Sequence, residues 1–489
     1  MSTLKSSPRS ARSRKTPALP ATPEPVSPPA FVLATGLSLP ALLRQFQSLF
    51  PKRSLALWLG GKVFYDRGFT PLIILWYLVF EHLSGKSTLE DVLEDARDGG
   101  ADRLSTRGKP PLSQTLRSDS TSSWSSARGR LPVAAVHQAL SFSGDAIRAT
   151  VQNRQWHGMD PTLLDGTTYR LRPWGDIPEQ FPPHGGGNNR APYWCLARSV
   201  VACCMATGVV LDGAVGPTKC SEQALTQEMW KARRWENSLF VADRNFGVYS
   251  VVRGARSVKA HMVVRLTEAR AKKLARDAQV NLEAGCDQVV EWKPTRHDQC
   301  PEGLSREPVV GRLIALRVNP RGSRPFMLYL FTTLVDPQIT AQEWAQLYGQ
   351  RWQVELDLRY IKTQMGLGAL NCKSADMARK IWLSGLMAYN LVRAAMCMAA
   401  ARSHQPVLSL SFSRSRKALV KWLPKVGKPR QLASWQRLLV RIAKFRLPKR
   451  LKARPSEPRA IRYFKSAFPK LTGDRAKARE KLALANAKS

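Results

Sequence analysis

The order of the short apolar runs between residues 151 and 400 constrains the fold of this chain more than any other feature. Five runs predict strands, at 159–168, 195–206, 209–211, 239–242 and 261–266. A helical pattern begins at Ser221, between the third and fourth runs. Strand, strand, strand, helix, strand is an α/β order. We therefore predict an α/β core over residues 151–400, with Asp165 and Asp243 at the ends of strands.

The segments around this core differ from it in composition and in the pattern of their apolar residues. Residues 1–30 are rich in Ser, Arg and Pro, and this predicts a disordered basic arm. Apolar stripes at helical spacing predict a helical, DNA-binding domain at 31–150. Between about 267 and 335, short apolar runs alternate with Gly and Pro clusters, which predicts an all-β insertion. Residues 401–489 are predicted to form a basic helical C-terminal region.

The charge of the chain is strongly unbalanced. It carries 76 Lys and Arg against 36 Asp and Glu, a formal net charge of +40. Residues 401–489 contain 25 of these cations and three acidic residues, with aromatic residues interleaved. Lys and Arg neutralise phosphates, so nucleic acid is the predicted partner. A ribosome-like or solvated tail is the alternative. Against mere solvation, Leu438, Leu439, Ile442 and Phe445 recur at helical spacing and should pack on a core.

Composition also argues against several classes of protein. An apolar fraction of 44% is too high for a wholly disordered chain. No run of about 18 apolar residues is present, and the N-terminus lacks an apolar signal region, so we expect neither a membrane span nor secretion. Eight cysteines without a CxxC pair predict reduced thiols and no zinc site, as in a cytoplasmic protein.

A predicted helix from Thr340 to about Gly366 carries a specific set of side chains. At about 100° per residue, Tyr348, Arg351, Glu355 and Lys362 share a face about 80° wide. Asp357 points to the opposite side. An exposed helix with i,i+4 ion pairs is the alternative interpretation.

These acidic residues suit metal-assisted phosphodiester chemistry. Asp165, Asp243 and Glu355 can supply oxygen ligands to a pair of Mg²⁺ ions, which together activate water and stabilise a leaving oxygen. The neighbouring Arg and Lys could hold a DNA backbone, and the aromatic residues could stack on a displaced base.

The chain resembles the DDE transposases of the IS4 type. Tyr348, Arg351, Glu355 and Lys362 match the Y-x2-R-x3-E-x6-K signature of that family at every spacing. The aspartates in LLDGTT and VADRNFG match its two earlier acidic motifs. One departure follows Asp243-Arg244, where Asn-Phe-Gly replaces the acidic neighbour of some members. The resemblance is strong over about 155–400.

The resemblance implies a ribonuclease H-like catalytic core that cuts DNA at the ends of its own mobile element and joins them to a target. Asp165, Asp243 and Glu355 would be the catalytic metal ligands for Mg²⁺, with Mn²⁺ as a substitute. Two rival functions remain open: a non-catalytic DNA-binding protein derived from a transposase, and a ribonuclease H-like nuclease that cuts without joining.

The same resemblance implies the contacts with double-stranded DNA. Tyr348, Arg351 and Lys362 would grip the element end near the cleaved strand. Trp292, in the β insertion, would stack against a flipped base; the alternative is a strand tryptophan that covers the core of the insertion. Two ends must be held together, so a homodimer on DNA is expected, in a cytoplasmic, nucleoid-associated protein.

Overall fold

The computed structural model describes residues 46–448, with gaps at 62–63, 65–67, 86–87, 153, 184–193, 319–325 and 424–430, together with residues 477 and 480. The predicted arm at 1–30 and nearly all of the chain beyond residue 448 lie outside these described residues.

Helices precede the sheet, as predicted for the described part of 31–150. Thr70 caps one of them by accepting a hydrogen bond from the Ile73 amide, and Gly85 ends it in the left-handed conformation. The helices are α1 (Lys52–Trp58), α2 (Pro71–Ser84), α3 (Leu89–Arg97), α4 (Leu112–Thr115), α5 (Ser122–Arg130) and α6 (Val133–Ala149).

Nine strands of the described residues form a single sheet. They are β1 (Asp160–Leu171), β2 (Cys195–Cys204), β3 (Val210–Pro217), β4 (Ser238–Ala242), β5 (His261–Arg265), β6 (Asp287–Trp292), β7 (Val309–Val318), β8 (Phe326–Thr332) and β9 (Ala369–Leu370). Their order is β3-β2-β1-β4-β5-β8-β7-β6, and β9 pairs with β1. Strands β1, β4 and β5 are parallel, whereas β2 runs antiparallel to β1. The predicted α/β fold is therefore confirmed.

One strand boundary differs from the prediction. Asp165 lies in the middle of β1 and does not end it, because β1 continues to pair with β2 as far as Leu171. Strand β4 stops at Ala242, which is level with Leu164 of β1. The next residues of the two strands are Asp165 and Asp243. The parallel register of β1 and β4 thus brings the two aspartates level with each other.

The predicted all-β insertion is wrong in one respect. Its first element is a helix, α10 (Glu268–Asp277), capped by the Thr267 hydroxyl. The strands that follow, β6 to β8, do not form a separate sheet. Strand β8 pairs antiparallel with β5, so the insertion extends the central sheet at its edge.

Two further helices, α7 (Ile177–Gln180) and α8 (Glu222–Lys231), follow β1 and β3, and α9 (Tyr249–Ser257) follows β4. The predicted helix at 340–366 consists of α11 (Ala341–Gly349), α12 (Trp352–Arg359) and a π-helical turn, Tyr360–Gln364. The helices that follow are α13 (Ala375–Arg402), α14 (Phe412–Trp422) and α15 (Gln431–Ala443).

Helix α13 is the one helix of the described chain that is long and apolar enough to cross a membrane. In its most apolar 18-residue window, 89% of the residues are buried inside the protein. The absence of a long uncharged run had suggested that no such candidate exists, but length and mean hydropathy alone do not exclude α13. Its position identifies it as the central core helix.

Alternate residues of the strands face two cores. Leu239 and Val241 of β4 contribute to one hydrophobic cluster, and Phe240 and Ala242 to the other. The first cluster also contains side chains of α2, α6, α13, α14 and α15, so the N- and C-terminal helices share a core with this face of the sheet. The second lies under α8, α9 and α10. Leu438, Leu439, Ile442 and Phe445 are buried in the first, as predicted.

A buried ion pair joins α12 to α13. The guanidinium of Arg393 donates to the carboxylate of Asp357, and the exposures of these side chains are 2% and 0%. Arg393 Nε also donates to the Tyr389 hydroxyl at 2.8 Å, and Gln353 Nε2 donates to Asp357 at 3.0 Å. Asp357 therefore holds α12 in place and, as its helical position predicted, is not available on the face of Glu355.

Replacement of Asp357 by Ala should lower the free energy of unfolding by about 3–5 kcal/mol, because it leaves the Arg393 cation buried without a counter-charge. Urea denaturation measures the change. The control is Glu228→Ala, which breaks an exposed pair with Lys231 and should cost less than about 1 kcal/mol. Equal losses in the two variants would contradict this role for the buried pair.

Candidate active site

The first two acidic residues lie side by side on neighbouring parallel strands. Asp165 belongs to β1, and its Oδ1 accepts a hydrogen bond from the Gly166 amide at 2.8 Å. Asp243 follows β4, and its Oδ1 accepts from the Asn245 amide, also at 2.8 Å. Each carboxylate is therefore oriented by a backbone N–H of its own turn or strand, and each keeps oxygen atoms for another ligand.

The third acidic residue approaches from α12, which packs on β1. Arg351 Nη2 donates to Glu355 Oε1 at 2.5 Å, one helical turn away. Arg351 Nη1 lies 3.9 Å from Asp165 Oδ2. The guanidinium thus lies between the carboxylates of the helix and of the strand, and it supplies the positive charge that brings them close.

This arrangement is not yet a compact metal cage. Within the described ranges, no three His, Cys, Asp or Glu side chains are close enough together to hold one metal ion. Glu355 is turned towards Arg351, with which it forms an ion pair. The donor set nevertheless fits Mg²⁺, which prefers carboxylate oxygens and tolerates only a few protein ligands. Release from Arg351 would make both oxygens of Glu355 available to a metal ion.

The protonation of Asp165 reflects this crowding. Burial, together with the neighbouring carboxylates of Asp243 and Glu222, raises the pKa of Asp165 to about 6, although the Gly166 amide and Arg351 oppose the shift. The pKa lies above its ordinary value mainly because burial disfavours the charged form of the carboxylate. A cation at this position would lower it.

Helical geometry needs one correction at the signature residues. Tyr348, Arg351, Glu355 and Lys362 were placed on one continuous α-helix, but α11 ends at Gly349 and α12 begins at Trp352. Lys362 lies in the π-helical turn, which changes its direction relative to Glu355. It is half-buried and, among the described residues, has no ion-pair partner. The structure therefore joins Arg351 and Glu355 directly, whereas Lys362 stands apart.

Tyr348 lies beside the carboxylates in a groove of about 200 Å³. The Tyr348 side chain is 9% exposed, and burial raises the pKa of its phenol to about 12, so that the hydroxyl remains a proton donor. Aromatic and basic side chains share the groove: Trp352 is 61% exposed and Phe326 39%, and the Arg265 guanidinium lies 5.2 Å from the centre of the Phe326 ring.

The groove contains residues that the sequence pattern did not single out. Trp352 immediately follows the signature arginine, and this position could have drawn attention to it. Arg265 and Phe326 reach the groove from β5 and β8, strands that are far apart in sequence and join only in the sheet. No sequence spacing predicts that encounter.

The predicted base-stacking residue, Trp292, is placed differently. Its indole is 5% exposed and packs edge to face on Phe331, with ring centres 5.0 Å apart. It belongs to the core on the side of α10. The stacking role of Trp292 stays a prediction, and this buried position weighs against it. The structure favours the alternative, a strand tryptophan that covers the core of the insertion.

A fourth carboxylate near the site was missed by the sequence reasoning. Glu222, the first residue of α8, accepts a hydrogen bond from Asn245 Nδ2 at 2.5 Å on Oε2. Asn245 is also the residue whose amide donates to Asp243. The signal in the sequence, a glutamate after an N-cap serine, is common to many helices and carries no functional meaning by itself.

Three comparisons with known proteins bear on the site. The family model described as "Transposase DDE domain" matches residues 156–391, which include the three acidic residues and the signature. The transposase InsG for insertion sequence element IS4 of Escherichia coli strain K12 is 25% identical over 299 residues, which are 59% of this chain. The match spans 64% of that relative, less than two thirds of its length.

A solved structure, the piggyBac transposase synaptic complex with hairpin DNA, overlaps 85% of this chain and 87% of its own at 13% identity. The TM-score is 0.39, which is too low to establish a shared fold.

Replacement of Arg351 by Ala should make the chain more responsive to divalent cations, because the guanidinium no longer competes for Glu355 and Asp165. Thermal unfolding with and without MgCl₂ measures this. A cation at tenfold its Kd stabilises the fold by about 1.4 kcal/mol, so the melting temperature of the variant should rise on addition of Mg²⁺ more than that of the unaltered chain.

The matched control is Arg359→Ala, which removes the same charge from an exposed position on the same helix. Equal Mg²⁺-induced shifts in the Arg351 and Arg359 variants would contradict the competition.

Proposed function

We propose that this protein is a DNA transposase that cuts at the ends of its own element and joins them to a target, because residues 156–391 match the family model described as "Transposase DDE domain". The observation that carries the proposal is the meeting of Asp165 and Glu355 at the Arg351 guanidinium, with Asp243 level with Asp165 on the next strand. A surface helix with exposed ion pairs would not bring its arginine to a partly buried aspartate of a central strand.

We propose that strands β1 to β5 form a ribonuclease H-like catalytic core. Two features support this. The aspartates lie on adjacent central strands, and the insertion of α10 and β6 to β8 separates them from the glutamate helix. The same order, strand-Asp, strand-Asp, insertion, helix-Glu, characterises the family that the signature resembles.

Asp165, Asp243 and Glu355 are the groups that would hold Mg²⁺, or Mn²⁺ in its place. Bound divalent cations would activate the attacking oxygen of water or of a DNA 3′-hydroxyl and stabilise the leaving oxygen of the phosphodiester. No side-chain nucleophile is required. The amides of Gly166 and Asn245 keep the first two carboxylates in a fixed orientation, and the Glu355 side chain could turn towards them when its ion pair with Arg351 opens.

Arg351 has the geometry to couple DNA binding to this rearrangement. A phosphate of the element end offers the guanidinium a bidentate anionic partner, as the Glu355 carboxylate does. Transfer of Arg351 from Glu355 to the phosphate would free the carboxylate for a metal ion at the moment the substrate arrives. Tyr348 can donate its phenolic proton to the same strand, and Lys362 can contact the backbone beyond it.

The groove around Tyr348 and Trp352 is the better candidate for an unstacked base. The exposed rings of Trp352 and Phe326 provide a stacking surface beside the carboxylates. Arg265 and Arg351 provide positive charge in the same groove. Trp292, in contrast, would have to leave its core. We therefore propose Trp352 for the stacking role first assigned to Trp292.

The C-terminal helices provide a surface for the flanking DNA. Helices α14 and α15 bury their apolar faces against α13 and expose their cations to solvent. The exposed cations are Arg414, Lys417, Lys421, Arg437, Arg441, Lys444 and Arg446. Neutralisation of phosphates by such a surface would give sequence-independent affinity. A homodimer that holds both ends remains part of the proposal.

Replacement of Asp165 or Asp243 by Asn, or of Glu355 by Gln, should reduce cleavage to the background rate but leave end binding intact, because each change removes a metal ligand and also a negative charge near DNA. A supercoiled plasmid that carries the element's own ends measures cleavage, and gel retardation measures binding. The control is Glu228→Gln, on an exposed face of α8. Substantial cleavage by the Glu355 variant would contradict the assignment.

The same assay separates the rival functions. With a pre-nicked end and a supercoiled target, a transposase forms joined products, a nuclease only cuts, and a non-catalytic binder leaves both DNAs unchanged. Occupation of all three acidic positions argues against the non-catalytic protein.

Replacement of Trp352 by Ala should remove one base-stacking contact, worth about 1–3 kcal/mol. A 2-aminopurine placed at the terminal bases of the element should lose its quenching in the bound complex. Trp174→Ala is the control, because this ring is also exposed, at 40%, but lies outside the groove. Loss of quenching in Trp292→Phe and not in Trp352→Ala would restore the original assignment.

A further inference from the structure

Glu222 reaches the acidic site from the face of the sheet opposite Glu355. Helix α8, which Glu222 begins, packs with β2 and β3 over the second core, whereas α12 lies on the first. Gly166 of β1 lies on the strand face that is turned towards α8. A Cβ atom at Gly166 would lie 2.2 Å from the carboxyl carbon of Glu222. The absence of a side chain there lets the Glu222 carboxylate lie directly against β1, next to Asp165.

A short gap in strand pairing along β1 allows side chains from the two faces of the sheet to approach each other at this position. Strand β4 pairs with β1 only as far as Leu164, and β9 pairs with it from Arg170. Between these residues, no described strand covers this edge of β1. Carboxylates from both sides of the sheet can therefore reach one volume beyond the end of β4, which they could not do across a continuous sheet.

Asn245 holds Glu222 towards that volume. Its side-chain Nδ2 donates to Glu222 Oε2 at 2.5 Å, and its backbone amide donates to Asp243 Oδ1 at 2.8 Å. One residue thus links the glutamate and the second aspartate. The next residue of α8, Gln223, donates to the Asn245 carbonyl at 2.7 Å and secures the same loop.

We propose that Glu222 is a fourth carboxylate ligand of the metal site, and this inference rests on the proposed function. Carboxylate oxygens are the protein ligands that hard cations such as Mg²⁺ and Mn²⁺ prefer, and each added carboxylate also adds negative charge that attracts the cation. Glu222 adds both from the face that α12 does not reach. Asn245 contacts it directly, the Asp165 carboxylate lies close enough to feel its charge, and among the described residues no cation forms an ion pair with it.

A purely structural role makes a different prediction, because Glu222 could serve only to anchor Asn245. Glu222→Gln separates the two roles. The amide oxygen of Gln can still accept from Asn245, so the loop stays anchored, whereas the negative charge and much of the affinity for a hard cation are lost.

The experiment titrates the full chain with Mn²⁺ and measures the free ion by electron paramagnetic resonance. Four proteins are compared: the unaltered chain, Glu222→Gln, Asp243→Asn and the control Glu228→Gln, two turns further along α8 and 67% exposed. Loss of a supporting carboxylate weakens metal binding roughly 10- to 100-fold. We expect such a loss for Glu222→Gln, and unchanged affinity for Glu228→Gln.

A second variant tests the geometry without removing the charge. Gly166→Ala would place a methyl group in the volume of the Glu222 carboxyl and push this flexible side chain away. Introduced alone, Gly166→Ala should weaken Mn²⁺ binding. Combined with Glu222→Gln, it should cause no further loss of Mn²⁺ affinity.

The outcomes separate the two proposals. If Glu222→Gln binds Mn²⁺ as tightly as Glu228→Gln while Asp243→Asn does not, Glu222 is structural and this inference is wrong. If Asp243→Asn also binds normally, the proposed metal site itself is wrong.

Discussion

The buried ion pair between Asp357 and Arg393 is the interaction on which the position of the candidate site depends. A charge without access to water needs its partner, so α12 cannot rotate or slide on α13 without a large cost. Gly208, at positive φ in the turn between β2 and β3, leaves room for the Arg393 guanidinium, whose carbon would lie 2.8 Å from a Cβ there. Asn390, one turn before, bonds both backbone groups of Val210 at 2.7–2.8 Å. Helix α13 thus ties α12 to the sheet.

With α12 held on one side, its other side presents Arg351 and Glu355 to β1. The site then carries an excess of negative charge, with acidic groups on the strands and one arginine between them and Glu355. In a chain of net charge +40, this local concentration of carboxylates is the exception. It suits a protein whose surface attracts a polyanion and whose catalytic carboxylates bind cations. The exposed rings beside it belong to the same arrangement, because Trp352 follows Arg351 directly in the chain.

Much of the fold was readable in the sequence. The strands around Asp165 and Asp243, the hairpin of β2 and β3, and the helix begun by Ser221 follow from apolar periodicity and local capping, which are properties of short segments. The exclusion of Asp357 from the acidic face followed from its helical angle. The errors arose where tertiary pairing overrides local pattern: β1 runs past Asp165 because β2 continues beside it, and α10 forms in a segment whose later runs are strands.

The sequence by itself determined the chemical identities and order of Asp165, Asp243, Arg351 and Glu355, because a motif with fixed spacing can be recognised without knowledge of the fold. Only the tertiary structure decided which of them meet. The parallel register of β1 and β4 aligns the aspartates, the π-helical turn after α12 separates Lys362 from Glu355, and the packing of Trp292 against Phe331 buries that ring. Glu222 and the groove of Arg265, Phe326 and Trp352 arise from strands and helices distant in sequence. Such encounters depend on sheet order and on which edge stays open, and no local spacing encodes them.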